Sequence, residues 1–440
     1  MIGTRPARRI DCKEGIPFQV DEALQPAMRA AALRLKREMG TGLEIISESA
    51  NTFTIRNVVG SLEIGGVLFQ VTPKTTPADD WIRAVLDLLI GSDRIGAASD
   101  RAAGLSANRR DLADILAAKY AERLERALRR DGPILQMEQT SAEFGYLKGK
   151  LQSSAWLRTA AWKPHRFPVT YGLLSPDNVF SRSLALTAQL LAAAASTVAV
   201  RARLLRLAQE LRPSMPEVRA VPPSATAAPL PSQWSAYHPA WSVACAVLNR
   251  RSLLGARGTL AGVSIVILAW PLLERLLQRG LQAAARIASA GGRSITALPK
   301  RGVPLLVQPR GIAVGERSVE PDGELIEGGR TIATFEAKYA DFVPGSKDWP
   351  RRDDYFQALC TASACGAPIS VLVYPGHFEP ACWRVPSMGG TPGHLIIMGL
   401  GLFSYRAGQG DDELGHRMLS LLDMKAEAWD SATRHDAVAA

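Results

Sequence analysis

Residues 321–338, PDGELIEGGRTIATFEAK, decide how this 440-residue chain is read. Thr331 to Ala337 carries the β-branched and aromatic residues of a strand, and Glu324 to Ile326 reads as a shorter one. The two are expected to pair as a hairpin across Glu327 to Arg330, with Asp322 just ahead of the shorter strand. On a strand, side chains two apart share a face, so Glu336 and Lys338 project together. Two carboxylates and the carbonyl of Ala337 make a set of hard oxygen ligands suited to Mg²⁺, with Mn²⁺ as a substitute. A metal held there polarises a phosphate ester and lowers the pKa of an attacking water. A lysine beside it orients that water or steadies the charge developing on phosphorus. The plain alternative is a Glu/Lys pair on the surface of an edge strand, a pattern that many chains show by chance.

The flanking segments sharpen that choice. Glu274 lies on a helical stretch, Leu272 to Ala290, from which a third carboxylate reaches the same metal. Gln357 lies on another, Asp353 to Ala364, and is placed to hold a phosphate or the water. Taken singly, each is better explained as a solvated helix side chain. Their order carries more weight: helix Glu, strand Asp, strand Glu-x-Lys, helix Gln, then the apolar strand Ile369 to Tyr374. That is the order of the PD-(D/E)xK nuclease core. Strand-like Val303 to Val307 and Ile312 to Val314 and the helical Ala240 to Asn249 complete an α/β region with a mixed central sheet flanked by helices.

The preceding half reads as α+β. Short strands with glycine punctuation are expected over the first 75 residues (Gly42 to Ile46, Phe53 to Val59, Val67 to Thr72), with no helix among them. Helical spacing follows in Asp80 to Ile90 and Asp111 to Arg129. Phe144 to Leu151 reads as extended, and Ser181 to Leu211 as one long helical stretch. Pro213 to Pro231 holds six prolines among small residues and reads as a linker. The expected partition is therefore 1–160 as an N-terminal domain, β-rich and then helical, 161–212 as a helical connection, 213–235 as the linker and 236–440 as the domain that carries the candidate site.

Composition bounds the rest. Apolar residues make up 47% of the chain, enough for more than one core, and the formal charge of +10 favours a polyanionic partner. The five cysteines (Cys12, Cys245, Cys360, Cys365, Cys382) are scattered and odd in number, which argues for a reducing, intracellular, cytoplasmic setting rather than a disulfide framework. No second Cys/His pair accompanies Cys360 and Cys365, so zinc is not expected. Arg5, Arg8 and Arg9 have no apolar stretch behind them, so no secretory signal is expected. Ser183 to Val200 and Thr259 to Leu273 lack charges but read better as buried elements than as membrane spans. No GxxxxGK[ST] motif is present, so any nucleotide hydrolysis belongs to a partner.

Across most of its length the chain resembles the McrC family, the nuclease subunit of McrBC-type modification-dependent restriction systems. The matching stretches run in family order. Ile64 to Lys74 ends in a Pro-Lys pair, and Asp111 to Gly132 precedes Leu147-Lys148-Gly149-Lys150. Val169 to Leu190 follows, then Leu272-Leu273-Glu274, Pro321-Asp322, Glu336-Ala337-Lys338, Asp354 to Gln357 and Val373-Tyr374-Pro375. Three departures stand out: Ser181 replaces the Asn expected before Arg182, Glu336 stands where Asp is more usual, and the prolines of 213–231 and the arginines between Gly280 and Gly302 are atypical. The resemblance implies Asp322, Glu336 and the carbonyl of Ala337 as metal ligands, Lys338 as the catalytic lysine, and Glu274 and Gln357 as supporting residues. It also implies double-stranded, modified (5-methylcytosine) DNA as substrate, and a McrB-like hexameric AAA+ GTPase or other NTPase as partner, docked through the N-terminal domain, in an antiviral defence system. Arg279, Arg286, Arg293, Lys300, Arg301 and Arg310 are candidates for tracking the phosphate backbone, or else an ordinary solvated face. A catalytically inactive adaptor that regulates an AAA+ ring and binds DNA is the competing reading, and a membrane-associated protein a weaker one.

Overall fold

The computed structural model describes residues 8–39, 44–74, 81–90, 112–195, 197–211, 229–248, 265–306, 317–340, 350–388 and 391–436. Most of the expected proline-rich linker, the strand expected at Ile312 to Val314, and Arg310 lie outside them. The chain divides into two compact units by contact rather than by order. One is drawn from Ser106–Ile265; the other joins Pro6–Leu105 to Val266–Ala440. The first hundred residues thus share a unit with the acid–lysine hairpin, which cuts across a linear division at 160 and 236.

In that larger unit the N-terminal part contains β1 (Arg8–Lys13), β2 (Phe18–Gln19), helix α1 (Gln25–Met39), β3 (Ile46–Ser49), β4 (Thr52–Ile55), β5 (Val58–Ile64), β6 (Val67–Thr72) and α2 (Trp81–Ile90). β1 runs parallel to β6, and β5 antiparallel to it across Gly65-Gly66, both with positive φ as a tight hairpin turn requires. The expectation of strands alone misses α1. Its Ala-, Leu- and Arg-rich sequence favours a helix, and it buries Met28, Ala31 and Leu35 at helical spacing. The single strand expected from Phe53 to Val59 is two, because Asn57 turns the chain with φ 63°.

The smaller unit holds α3 (Leu112–Asp131), β7 (Gln136–Phe144), β8 (Lys150–Leu151), α4 (Ser153–Thr159), β9 (Phe167–Ser175), α5 (Val179–Ala194), α6 (Val198–Leu211) and α7 (His238–Leu248). Tyr120, Leu124, Leu184, Leu191, Leu204 and Leu207 are buried between its helices, and β7-β9-β8 form a separate antiparallel sheet. Of the extended run expected from Phe144 to Leu151, only the ends are strand. The long helix expected over Ser181 to Leu211 is two, broken after Ala194 where Arg201 turns back to donate to the carbonyls of Ala192 and Ala195. The residues ahead of α7, expected as the end of the linker, form a 3-10 helix, Ser232–Tyr237. Asn178 caps α5, accepting from the N–H groups of Phe180 and Ser181 and donating to the Ile134 carbonyl, so the cap does not depend on position 181. Among the described residues no helix is long and apolar enough to cross a membrane.

The chain then returns to the larger unit through β10 (Ile265–Leu268), which joins the β1-β6-β5 sheet, and helix α8 (Ala269–Ala290). β11 (Ile295–Leu298), β12 (Val303–Leu306), β13 (Arg317–Val319), β14 (Gly323–Glu327), β15 (Arg330–Ala337), α9 (Arg352–Cys365), β16 (Ile369–Tyr374), β17 (Ala381–Met388), β18 (Thr391–Gly399) and α10 (Gln409–Asp436) follow. Six of these strands form a mixed sheet in the order β11-β14-β15-β16-β18-β17. The β15-β16 and β16-β18 pairs are parallel and the others antiparallel. All six residues of β16 are buried, which explains its continuous apolar run. α8 packs on β11, β14 and β15, with α10 outside it. α9 covers the other face, where Ala358 meets Leu372, Tyr374, Leu395 and Ile397.

Candidate active site

The β14–β15 hairpin pairs Gly323 with Phe335 and Glu324 with Thr334, which sets Asp322 beside the end of β15. One carboxylate oxygen of Asp322, Oδ2, accepts the N–H of Ala337 at 2.8 Å; the other, Oδ1, accepts Lys300 Nζ at 3.0 Å. The Gln278 amide, one helical turn beyond Glu274, donates to the Asp322 carbonyl. Glu336 is only 2% exposed. Its Oε2 accepts from Gln357 Nε2 at 3.3 Å, and Gln357 Oε1 in turn accepts from Lys338 Nζ at 2.6 Å. Lys300 also lies 4.0 Å from Glu274 Oε1. The hairpin, α8 and α9 therefore bring together all five side chains picked out in the sequence. Glu274 joins through Lys300, whose direct contact with Asp322 the sequence did not reveal. For Ala337 the contact seen is its N–H on Asp322.

Electrostatics make this a site under tension. Burial, then the charge of Asp322, raises the Glu336 pKa from 4.5 to about 7, against the opposing pull of the Thr361 hydroxyl, Lys338 and Lys300. Glu274 is also raised, by burial and by Asp322, with Lys300 acting the other way. Burial disfavours the Lys300 ammonium, but its hydrogen bond to Asp322 and the surrounding carboxylates hold its pKa above the usual lysine value. Among the described residues Glu336 Oε1 makes no well-formed hydrogen bond, although the Thr361 hydroxyl lies near enough to favour the ionised carboxylate. Such an atom costs free energy unless something occupies it.

These features fit a hard divalent cation. Glu336 Oε1 lacks a well-formed hydrogen bond among the described residues, and a lysine ammonium sits on Asp322 Oδ1. Among the described residues no three His, Cys, Asp or Glu side chains already converge as a cage.

The next loop fastens the site to its support. Arg301 Nε and Nη2 reach both carboxylate oxygens of fully buried Glu324, at 2.6 and 2.9 Å, and Thr331 donates to the same group. Other basic residues considered for the DNA backbone are likewise committed within the chain: Arg279 to Asp411, Arg286 to Asp412 and Arg293 to Glu327.

A mixed sheet carrying carboxylates, a lysine and a glutamine at one strand end defines an acid–lysine centre. The family described as McrBC 5-methylcytosine restriction system component matches residues 53–375. The chain belongs to that family. In fold it is similar to a chain of the refined half-complex from the tetradecameric assembly of Thermococcus gammatolerans McrB AAA+ hexamers with bound McrC. The TM-score is 0.63 at 16% identity, covering 94% of this chain and all of that one. A chain of the cryo-EM structure of the Thermococcus gammatolerans McrBC complex aligns at TM-score 0.48 and 18% identity, over 62% of this chain and 88% of that one. No curated protein matches the sequence.

Proposed function

We propose that this McrBC-family component is the DNA-cleaving subunit of its system, a Mg²⁺-dependent endonuclease of the PD-(D/E)xK type that works with a McrB-like AAA+ GTPase on modified double-stranded DNA. The observation that carries this reading is the chain of contacts from Lys338 through Gln357 to Glu336, with Asp322 beside it at the end of β15. Asp322 Oδ1 and Glu336 Oε1 are the donors offered to the metal. A divalent ion supplies Lewis-acid polarisation of the scissile phosphate and a more acidic water. Gln357 fixes the Lys338 ammonium 2.6 Å from its amide oxygen, so the positive charge is preorganised rather than free to swing in solvent. Glu274 and Lys300 set the charge around Asp322 from the side of α8.

The partner surface belongs to the smaller unit in this reading. Its β7-β9-β8 sheet, α4 and the loops beside them carry exposed Met137, Tyr146, Leu147, Leu157, Trp162 and Leu174. Apolar side chains gathered in this way mark an interaction surface.

The test is cleavage of a 5-methylcytosine-containing plasmid by wild type and Lys338→Ala, each with the partner, Mg²⁺ and GTP or ATP. Cleavage that requires partner, nucleotide and Lys338 is the expected result. Unchanged cleavage by Lys338→Ala refutes the site. An absence of cleavage combined with stimulated nucleotide hydrolysis by the partner favours the adaptor reading.

A further inference from the structure

The chain leaves the sheet immediately after the acid–lysine strand, and what secures it there comes from the N-terminal sheet. Lys338 is the last residue tied to β16, its N–H donating to the Val373 carbonyl at 2.8 Å. The next residue, Tyr339, turns away and donates its hydroxyl to Oε2 of Glu14 at 2.5 Å. Glu14 directly follows β1 and is 2% exposed. Its N–H is bound to the Thr72 carbonyl, and its Oε1 accepts the N–H of Asn57 at 2.8 Å. Lys74, the lysine of the Pro-Lys pair that ends the β6 segment, lays its ammonium 4.7 Å above the Tyr339 ring. Asn57, at the left-handed turn between β4 and β5, passes the connection on: its carbonyl accepts the N–H of Ala269, the first residue of α8 and five before Glu274.

Through its backbone and its buried carboxylate, Glu14 therefore links three strand ends of the N-terminal sheet to the residue beside Lys338, and through Asn57 to the start of the helix that carries Glu274. A hydroxyl donated to a carboxylate is among the stronger hydrogen bonds. This bond holds the backbone just after Lys338, while Gln357 holds the ammonium at the far end of the side chain.

We infer that Tyr339 and Glu14 are positioning residues of the proposed cleavage centre, with Lys74 bracing the Tyr339 ring, so that residues 8–74 are a structural part of that centre. The inference rests on the nuclease reading. It is tested on the full chain with its partner, using the methylated plasmid. Tyr339→Phe removes one oxygen and keeps the ring on Lys74. It is expected to lower kcat roughly 10-fold, since small displacements of a catalytic group have effects of this order or larger. KM for DNA and Mn²⁺ affinity measured by calorimetry without DNA are expected to stay at wild-type values, while the thermal midpoint falls by a few degrees because buried Glu14 loses a donor. Modification of Lys338 by an amine reagent, followed by mass spectrometry, is expected to speed up. Glu14→Gln, which keeps an acceptor, is expected to recover most of the rate lost in Glu14→Ala. Combining Glu14→Ala with Tyr339→Phe is expected to be no worse than Glu14→Ala alone. Wild-type kcat in Tyr339→Phe, or a loss carried wholly by KM, overturns the inference while Lys338→Ala remains inactive. If Lys338→Ala also cleaves normally, the nuclease reading itself has failed.

Discussion

Glu336→Gln removes the one site carboxyl whose ionisation the fold most resists, and its effect on stability follows from the geometry. The side chain is almost fully buried, faces Asp322, and takes up its proton near pH 7 in place of 4.5. Each tenfold change in proton affinity is worth about 1.4 kcal/mol. Ionised Glu336 in the metal-free protein therefore costs about 3 kcal/mol relative to the unfolded chain. Between pH 4.5 and about 7 the folded state holds the proton and the unfolded state does not, so wild-type stability falls as pH rises through that window. Below it both states are protonated, and above it both are ionised, so the contribution is flat at either end. Glutamine cannot ionise and loses the slope. With a chelator present, urea unfolding is expected to show Glu336→Gln more stable than wild type at pH 8 by up to about 3 kcal/mol, with no advantage near pH 4.5. Millimolar Mg²⁺ is expected to close the gap at pH 8 by stabilising wild type alone. A variant no more stable than wild type at pH 8 without metal would falsify the account of burial and repulsion at this site.

Two other perturbations bear on different parts of the structure. Lys300→Met takes away the cation seated on Asp322, so calorimetric Mn²⁺ affinity is expected to tighten several-fold, on the order of 1 kcal/mol; weaker binding would mean that Lys300 helps hold the ion. Asn178→Ala removes an N-cap that satisfies two helix N–H groups and the Ile134 carbonyl. It is expected to destabilise the protein by about 2 kcal/mol in urea unfolding, and a change below about 0.5 kcal/mol would show the cap to be dispensable.

The parts of this protein that could be read from sequence are those whose cause is local. β16 matches its expected bounds because a charge-free run rich in Ile and Val suits a strand buried on both faces. The hairpin was legible because its paired segments are separated by so few residues, and the spacing of Glu336 and Lys338 followed from it. α1 was legible in principle: its apolar positions repeat at helical spacing, but the surrounding glycines and β-branched runs drew the reading towards strands. The gap between α5 and α6 has no proline or glycine to announce it, and Arg201 seals it from within the second helix. Asn178 was passed over because the family resemblance drew attention to Ser181 and Arg182. Lys300 on Asp322 and Glu14 on Tyr339 join residues 22 and 325 positions apart. No pattern of neighbouring residues encodes such pairs.

The place of β10 in the N-terminal sheet has a consequence for how the chain is made. β5 finishes at Ile64, but the strand that covers its open edge starts at Ile265. At a synthesis rate of about 5–20 residues per second, roughly 200 residues and some 10–40 seconds separate the two. Throughout that interval a strand rich in Val, Leu and Ile presents unpaired N–H and C=O groups, the condition under which nascent sheets capture one another. Translation must therefore pass through the whole of the smaller unit before the larger one can close.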